Sequence, residues 1–418
     1  MKKANLKYSL MAMGITATCL PAGAQAASDI DALRQQIADL QQQVNQIDNT
    51  VAEADTESSV HMAGYAAVNY AEPTDSDGAF SRVLVAPIFH FNYKDLLMFE
   101  TEFEFLNEAD GGTEVALEYA SLDLFLNDYA ILVAGKFLSP LGQFRQNLHP
   151  SWINKMVMAP AGFGHGGAAP LSETGLQLRG GIPLGEMRAN YAFYIGNGPT
   201  LVAAVEEEDG EFELAIEEVE TEGRTSDPDG KKVFGGRIGL LPIVGLEVGL
   251  SAAKGKATVV DATTGGHDGP ALEIESTGEF DYDVIGFDFR YGWNNLELRG
   301  EYIKTEIGKS GDGVEFHGDD LPEGYAGPAE FDAVEVGEWK AWYVQAAYKL
   351  PATPMEAVIR TSEFETPHSG ENYSQRTLGL NYLFAPSVVV KFNYEIREPD
   401  APGIDDEKTL MAQLAYGF

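Results

Sequence analysis

Charged side chains stand at every second position in several segments, and they are the residues of this sequence best suited to act on ions. The clearest example runs from Phe99 to Phe105, where Glu100, Glu102 and Glu104 alternate with other residues. A β-strand with this spacing carries all three carboxylates on one face. On the inner wall of a water-filled passage, such a row attracts cations and repels anions. The spacing therefore predicts a charged wall wherever these strands enclose a passage.

The candidate charges fall into two groups. Acidic residues are concentrated on the third and fourth predicted strands, and basic residues are concentrated on the sixth to eighth. Opposed walls produce a transverse field across a pore, although the same charges could simply solvate the interior and pair across strands. Alternation also places Glu301, Arg360 and Lys391 inside. The candidates for lining or narrowing the passage are Glu100, Glu102, Glu104, Glu118, Lys136, Arg145, His149, Lys155, Arg179, Arg188 and Arg237.

Sequence motifs for enzyme or metal chemistry are missing. The seven histidines show no H-E-x-x-H or other zinc-ligand spacing, and there is no G-x-S-x-G elbow. The glycine-rich stretch 162–167 does not join a strand to a helix, so it does not predict a nucleotide site. We therefore expect no catalytic residue, no metal ligand set and no cofactor. A hydrolase that assembles its site from scattered strand residues remains an alternative.

The charge balance is strongly acidic. The 418 residues include 65 Asp and Glu against 28 Lys and Arg, a formal net charge of −37. Nucleic acid is excluded as a partner, because phosphate binding needs basic patches. Between Glu206 and Asp229 there are twelve acids and one base, Arg224. This segment is either a solvated loop or an external vestibule that collects cations and bridges divalent ions to lipopolysaccharide phosphates.

Residues 1–26 have the features of a removable signal peptide. Lysines at positions 2, 3 and 7 precede an apolar stretch, Tyr8 to Leu20, that is too short to span a bilayer. Ala24-Gln25-Ala26 then matches a cleavage site. Removing three lysines and no acids changes the net charge from −37 to −40. The single cysteine, Cys19, leaves with this segment, so the mature chain cannot form a disulfide.

Residues 27–59 are predicted to form a periplasmic coiled coil and a linker. Apolar residues from Ile30 to Val51 are spaced alternately three and four apart, which is a heptad pattern of about three repeats. A single amphipathic helix lying on another surface is the alternative. Residues 52–59 are polar and form the linker.

Residues 60–418 are predicted to form a transmembrane β-barrel of sixteen antiparallel strands. Tight turns such as Lys94-Asp95 alternate with long connections such as 197–231. Tight turns on one rim and long loops on the other are typical of outer-membrane barrels, whereas a soluble β-sandwich shows the strand alternation without this order. An even strand number places both chain ends on the periplasmic side. The strands are predicted to start near residues 60, 81, 97, 113, 129, 174, 187, 232, 245, 281, 295, 338, 354, 374, 387 and 408.

Three local patterns refine this prediction. Aromatic residues beside the tight turns, such as Trp293 and Phe384, predict an interfacial girdle. Beside Tyr119 the alternation slips by one residue, which predicts a β-bulge. In the last strand Tyr416 and Phe418 end an apolar face. This ending resembles the C-terminal signature that the barrel-assembly machinery of bacteria recognises.

The connection over residues 139–172 is the candidate constriction. It is 34 residues long, far beyond an ordinary hairpin loop. Its charges are Arg145 and Lys155, and its apolar residues need a surface to bury against. Folding along the inner wall would cover them. Packing over the barrel mouth, or on a neighbouring subunit, is the alternative. The apolar residues are Phe144, Leu148, Trp152, Ile153 and Met156.

These features together resemble the trimeric bacterial porins, and among them the phosphate-selective porin O and P family. The likeness rests on the coiled-coil start, the sixteen strands, the ending at Phe418, and the stretch from Gly135-Lys136-Phe137 through His149-Pro150-Ser151 to Lys155. The resemblance implies a homotrimer of barrels whose third external loop folds inward. It also implies a pore lined with arginine and lysine where anions are preferred. The acidity of this chain departs from that pattern.

The sequence thus predicts a porin in the outer membrane of a Gram-negative bacterium. It would pass small hydrophilic, charged solutes by passive diffusion, with anions such as phosphate as one option. Its expected partners are two further copies of itself, outer-membrane lipid and lipopolysaccharide, and the barrel-assembly machinery. One rival is a structural barrel that is plugged by its loops and tethered to the cell wall by its coiled coil. The other is the outer-membrane hydrolase.

Overall fold

We analysed a computed structural model, which describes residues 58–418 apart from 109, 209–210, 265–268, 310–312, 319–320, 323–324, 326, 332–333 and 369. The predicted signal peptide lies outside the described residues. So does the predicted coiled coil with its linker, except for Ser58 and Ser59.

The described chain forms twenty-two strands, of which sixteen close into one antiparallel barrel. Each barrel strand pairs with the next, and β22 pairs back with β1. Strands β8, β9, β12, β15, β16 and β17 lie outside it. In chain order the strands are β1 (Ser58–Pro73), β2 (Ala79–Tyr93), β3 (Leu97–Asn107), β4 (Thr113–Asn127), β5 (Ala130–Leu138), β6 (Ser172–Leu184), β7 (Met187–Gly196), β8 (Thr200–Glu208), β9 (Glu211–Glu220), β10 (Val233–Ile243), β11 (Leu246–Thr264), β12 (Ile274–Thr277), β13 (Phe280–Trp293), β14 (Leu296–Ile307), β15 (Val314–Phe316), β16 (Glu330–Phe331), β17 (Val334–Glu335), β18 (Glu338–Lys349), β19 (Met355–Glu365), β20 (Tyr373–Ala385), β21 (Val388–Pro399) and β22 (Glu407–Gly417).

The predicted barrel of sixteen antiparallel strands is confirmed. Every barrel strand starts within two residues of its predicted position. Tight turns occupy one rim, and two of them place Gly185 and Gly245 in the left-handed region (φ 66° and 86°), which glycine adopts without strain. Closure leaves no free sheet edge, so the backbone groups along the seam are paired. At that seam Gly64 and Phe418 exchange two backbone hydrogen bonds of 3.0 and 2.9 Å.

Apolar side chains cover the outer face of the barrel. Phe193, Leu250, Ile359, Leu378 and Leu414 are all at least 49% exposed. A soluble sandwich would bury such residues. Alternation therefore runs in the direction predicted for a barrel, with apolar residues outside and polar residues inside. Among the described residues, no helix is long and apolar enough to cross a bilayer.

The predicted β-bulge is present in β4. The pairing with β3 shifts so that Glu102 faces Tyr119 while Phe103 faces Leu117, which leaves Glu118 as the extra residue. As a result, Glu118 and Tyr119 are consecutive and both buried. The bulge thus adds a second acidic strand to the wall started by β3.

The acidic segment from 200 to 220 folds as a hairpin, β8–β9, although the sequence suggested a loop. Its apolar face is buried, with Leu201, Leu214 and Ile216 at most 1% exposed. The hairpin extends over the long-loop rim by pairing in parallel with the end of β11. It belongs to a hydrophobic core that continues to Phe163 and Tyr343 inside the barrel.

Candidate functional site

The connection between β5 and β6 lies inside the barrel, and we call residues 139–172 the inward loop. Within this loop, Phe144–Leu148 form a short helix, α1, which is the only helix among the described residues. The Gly142 amide donates to Ser251 Oγ on β11 at 3.0 Å. The amides of Gln143 and Phe144 donate to the Glu301 carboxylate on β14 at 3.2 and 3.1 Å. These bonds fix the start of the loop to one wall.

The middle of the inward loop is fixed to strands β19–β21. Lys391 Nζ donates to the carbonyl of Ser151 and, at 3.1 Å, to that of Met156. The Arg360 guanidinium donates to the carbonyls of residues 158 and 159, both at 3.0 Å. Val157 N donates to Asn393 Oδ1 at 2.7 Å. Buried cations thus satisfy loop carbonyls that would otherwise lack partners.

The apolar residues of the inward loop are covered to different degrees. Phe144 and Met156 are buried at 4% and 0% exposure, and Phe163 packs edge-on against Tyr343 with ring centroids 5.1 Å apart. Ile153 stays 37% exposed. Most of the apolar surface is therefore buried against the inner wall rather than left in solvent.

The start of the inward loop meets an acidic wall, which we define as Glu100, Glu102, Glu104 and Glu118. Arg145 forms an ion pair with Glu118 at the bulge. His149 Nε2 lies 3.7 Å from Glu102 Oε1. The structure thus brings together two predicted loop residues and the predicted wall.

The wall carboxylates also have partners on neighbouring strands. Tyr65 donates its hydroxyl to Glu102 at 2.8 Å, and Arg82 lies 3.2 Å from Glu104. Tyr119 donates to Glu100 at 3.1 Å. Much of the wall's charge is therefore engaged within the protein.

Lys155 crosses to the opposite side of the interior. Its ammonium lies 2.5 Å from Glu356 and 3.6 Å from Glu297. The Arg237 guanidinium, which lines the same chamber as Lys155, donates two hydrogen bonds of 2.7 and 2.6 Å to the Asp288 carboxylate. Bidentate pairs of this kind hold both groups in fixed orientation.

Two other predicted basic residues lie on β6 and β7. Arg179 pairs with Asp123 on β4, and Arg188 is exposed at the tight-turn end of β7. Lys136 does not join the interior set. Val133 and Phe137 are buried in the inner core, so Lys136 between them points outward. Its sequence context was misleading because β5 carries apolar residues on both faces.

Lys136 instead lies near the long-loop rim. Its ammonium donates to the Leu117 carbonyl at 2.8 Å and to Glu222 at 3.3 Å. Glu222 also lies 2.9 Å from His165 of the inward loop, and that hydrogen bond holds the pKa of His165 above its usual range. An external connection is thereby tied to the tip of the inward loop.

The inward loop leaves chambers on both of its sides. Toward the long loops, a cavity of about 490 Å³ is lined by Arg82, Glu104, Glu118, Arg397 and His149, among others. Toward the tight turns, a cavity of about 240 Å³ is also lined by His149, together with Glu100 and Glu102. His149 therefore stands where the two chambers approach each other.

A third chamber, of about 730 Å³, opens on the tight-turn side beneath the basic residues. Its charged lining has five basic side chains against two acidic ones. These are Lys155, Arg179, Arg237, Arg290 and Arg299, with Glu247 and Glu297. Most of these cations have carboxylate partners, so the chamber is polar rather than strongly positive.

Neither a protein-family model nor a curated protein sequence matches this chain. Solved structures do. The anion-selective porin of Comamonas acidovorans is 13% identical and superposes with a TM-score of 0.54 over 87% of this chain and 100% of its own. The trimer form of OmpT, an outer membrane protein of Vibrio cholerae, gives 12% identity and a TM-score of 0.53 over 86% and 99%. OmpF of Salmonella typhi, solved with daunomycin, gives 14% identity and a TM-score of 0.50 over 87% and 98%.

The chain has the porin fold. At these identities the likeness concerns the arrangement of the strands, and the residues of the interior have to be judged by their own contacts. Within the porin fold, sequence alternation correctly placed Glu301, Arg360 and Lys391 inside, but it did not predict that they hold the inward loop. Tyr65 was missed because its phenol gives no charge signal.

Proposed function

We propose that this protein is an outer-membrane channel for the passive diffusion of small hydrophilic, charged solutes in a Gram-negative bacterium. One observation carries the proposal: a long loop lies inside a closed barrel and leaves water-accessible, charge-lined chambers on both of its sides. The apolar outer face suits contact with lipid. The likeness to porins supports the same conclusion at the level of the fold.

We place the narrowest part of the path at Arg145 and His149, between Glu102 and Glu118. Both loop residues lie against the acidic wall, and His149 borders the chambers on either side. Charges in a narrow passage act strongly on ions because little water screens them. Passage of anions such as phosphate is the narrower form of the proposal, and the excess of basic over acidic side chains in the 730 Å³ chamber, which Arg179 and Arg237 line, supports it.

Single-channel recording tests the proposal directly. The purified full-length protein in a planar bilayer should give discrete conductance steps, and a reversal potential across a salt gradient should report its ion preference. Added phosphate should carry current or reduce chloride current if the anion form is right. Correctly folded, heat-stable protein that gives no steps would reject the channel.

A plugged structural barrel is the second candidate, and the hydrophobic core favours it. That core joins the β8–β9 hairpin to Phe163, Trp339 and Phe364 inside the barrel, so one sector of the mouth is filled. The 490 Å³ chamber borders the same core, since Phe163 and Phe364 are among its lining residues. The two candidates differ in whether ions pass through this chamber, and single-channel recording decides between them.

We further propose that the channel is a homotrimer registered by the heptads between Ile30 and Val51. The related fold of OmpT, solved in a trimer form, supports the oligomer. Removing residues 28–55 is expected to weaken the trimer without unfolding the barrel, because the deleted residues precede β1. Native electrophoresis should show more monomer for the deletion than for the intact protein, and monomer alone in the intact protein would contradict the trimer.

Phe418 is proposed to act in membrane assembly, and Tyr416 shares its outer face. Deleting Phe418 removes this ring and both backbone bonds to Gly64 at the barrel seam. We expect less protein in the outer membrane and more unfolded protein in the periplasm. Phe418→Ala keeps the backbone bonds and serves as the control that isolates the ring. Normal insertion of both variants would remove the assembly role.

A further inference from the structure

Two histidines meet on the inner face of the barrel near the tight-turn rim. His61 on β1 and His90 on β2 occupy directly opposite register positions. Their Nδ1 atoms are 3.4 Å apart, and their ring centroids are 5.6 Å apart. They are 29 residues apart in the sequence, so no metal-ligand spacing is visible there. Only the strand pairing brings them together.

The separation of the two nitrogens fits a shared metal ion. A zinc ion binds imidazole nitrogen at about 2.0–2.1 Å with tetrahedral angles, which sets two such nitrogens about 3.4 Å apart. Either ring nitrogen of a neutral imidazole can act as the ligand. The observed spacing of 3.4 Å is therefore the spacing of two ligands on one tetrahedral ion.

A carboxylate holds one of the rings in the orientation that metal binding needs. His90 Nε2 lies 3.2 Å from Glu100 Oε1, and Glu100 faces His90 across β2 and β3. With its proton on Nε2 donated to Glu100, His90 presents an unprotonated Nδ1 toward His61. Metal-bound histidines almost always donate their other ring nitrogen to such an acceptor. The Tyr119 hydroxyl donates to the same oxygen of Glu100 at 3.1 Å and helps to hold the carboxylate in place.

The two histidines are accessible to solution, and they supply only two of the ligands that a metal ion needs, so water would complete its coordination. His61 is exposed, and the His90 side chain is 23% exposed. Among the described residues, no set of three or more His, Cys, Asp or Glu is arranged to hold a metal. Two imidazoles with water in the other positions suit zinc, copper or nickel and do not suit magnesium or calcium, which prefer oxygen.

We propose that His61 and His90 bind one divalent transition-metal ion of the zinc class on the inner wall of the barrel, with Glu100 orienting His90. The ion adds two positive charges beside the acidic wall. If the protein conducts as proposed above, this added charge shifts its selectivity toward anions. Metal binding itself does not depend on conduction.

Isothermal titration of zinc chloride into the purified, untagged full-length protein in detergent tests the site. We expect one site per chain that is lost in His61→Gln and in His90→Gln, and about 10- to 100-fold weaker in Glu100→Gln. His317→Gln, in an external segment, should keep the site. Magnesium should not compete. All variants are first checked for heat-stable barrels, since the changed residues line the interior and bury little surface.

Three outcomes would overturn the proposal: no zinc binding by the intact protein, unchanged binding in both histidine variants, or equal loss in His317→Gln. In the same preparations, zinc added on the tight-turn side of a bilayer should move the reversal potential of the intact protein and leave His61→Gln/His90→Gln unmoved. Zinc binding without any conductance would reject the channel while keeping the metal site. Conductance without zinc binding would reject the metal site while keeping the channel.

Discussion

Replacing Arg145 with glutamate is expected to make the channel at least about tenfold more selective for cations. The change removes the partner of Glu118 and adds a fifth carboxylate beside the acidic wall. The substitution changes the local charge by two units. At ~8 Å from a passing monovalent ion, in a medium of effective dielectric constant ~40, this changes the energy of the ion by about 2 kcal/mol. That exceeds the 1.4 kcal/mol that corresponds to tenfold. The reversal potential across a potassium chloride gradient measures the change.

Arg224→Glu is the matched control, because it makes the same substitution in the external acidic segment. Arg224 forms an ion pair with Glu220 at 2.9 Å, and both side chains are about one-third exposed. Salt screens such charges over about 8 Å at physiological ionic strength, so its small effect should fade as salt rises. Lys155→Glu should act in the same direction as Arg145→Glu. Unchanged reversal potentials in both loop variants would show that the inward loop does not set selectivity.

The barrel was predictable because alternation and loop length are local properties of the chain. A residue's face follows from its position in the strand, and the tight turns between strands fix the register. The bulge at Glu118 was visible for the same reason, as a slip in the alternation. The β8–β9 hairpin was missed because the twelve acids between residues 206 and 229 dominated the composition of this stretch, although apolar residues among them, such as Leu214 and Ile216, form its buried face.

The contacts of the inward loop were not predictable in the same way. Its apolar residues indicated that it needs a surface, but its partners are far away in the sequence. Lys155 and Glu356 are 201 residues apart, and Val157 and Asn393 are 236 apart. No periodic pattern encodes such pairings, since they depend on how sixteen strands close.

Lys391 is expected to hold the inward loop in place, so that Lys391→Met increases the fraction of molecules with the loop released. Lys391 is 1% exposed, and its ammonium donates to two loop carbonyls and to Gln413. Methionine keeps the approximate volume but leaves those acceptors unpaired, at a cost of about 2–4 kcal/mol. This corresponds to about 30-fold or more in the released population.

Trypsin reports that release, because Arg145 and Lys155 are cleavage sites that lie inside the barrel. A protease too large to enter cuts only molecules whose loop has swung out, and the cutting rate follows their population when reclosing is fast. Lys254→Met is the control, because it removes a lysine from an exposed ion pair. The side chains of Lys254 and Asp283 are 76% and 44% exposed. Trypsin should cleave this variant at the same rate as the intact protein. Arg360→Met removes the neighbouring anchor and should resemble Lys391→Met. Equal protection of the loop in both anchor variants, with the barrel still heat-stable, would mean that the buried apolar residues alone keep the loop inside.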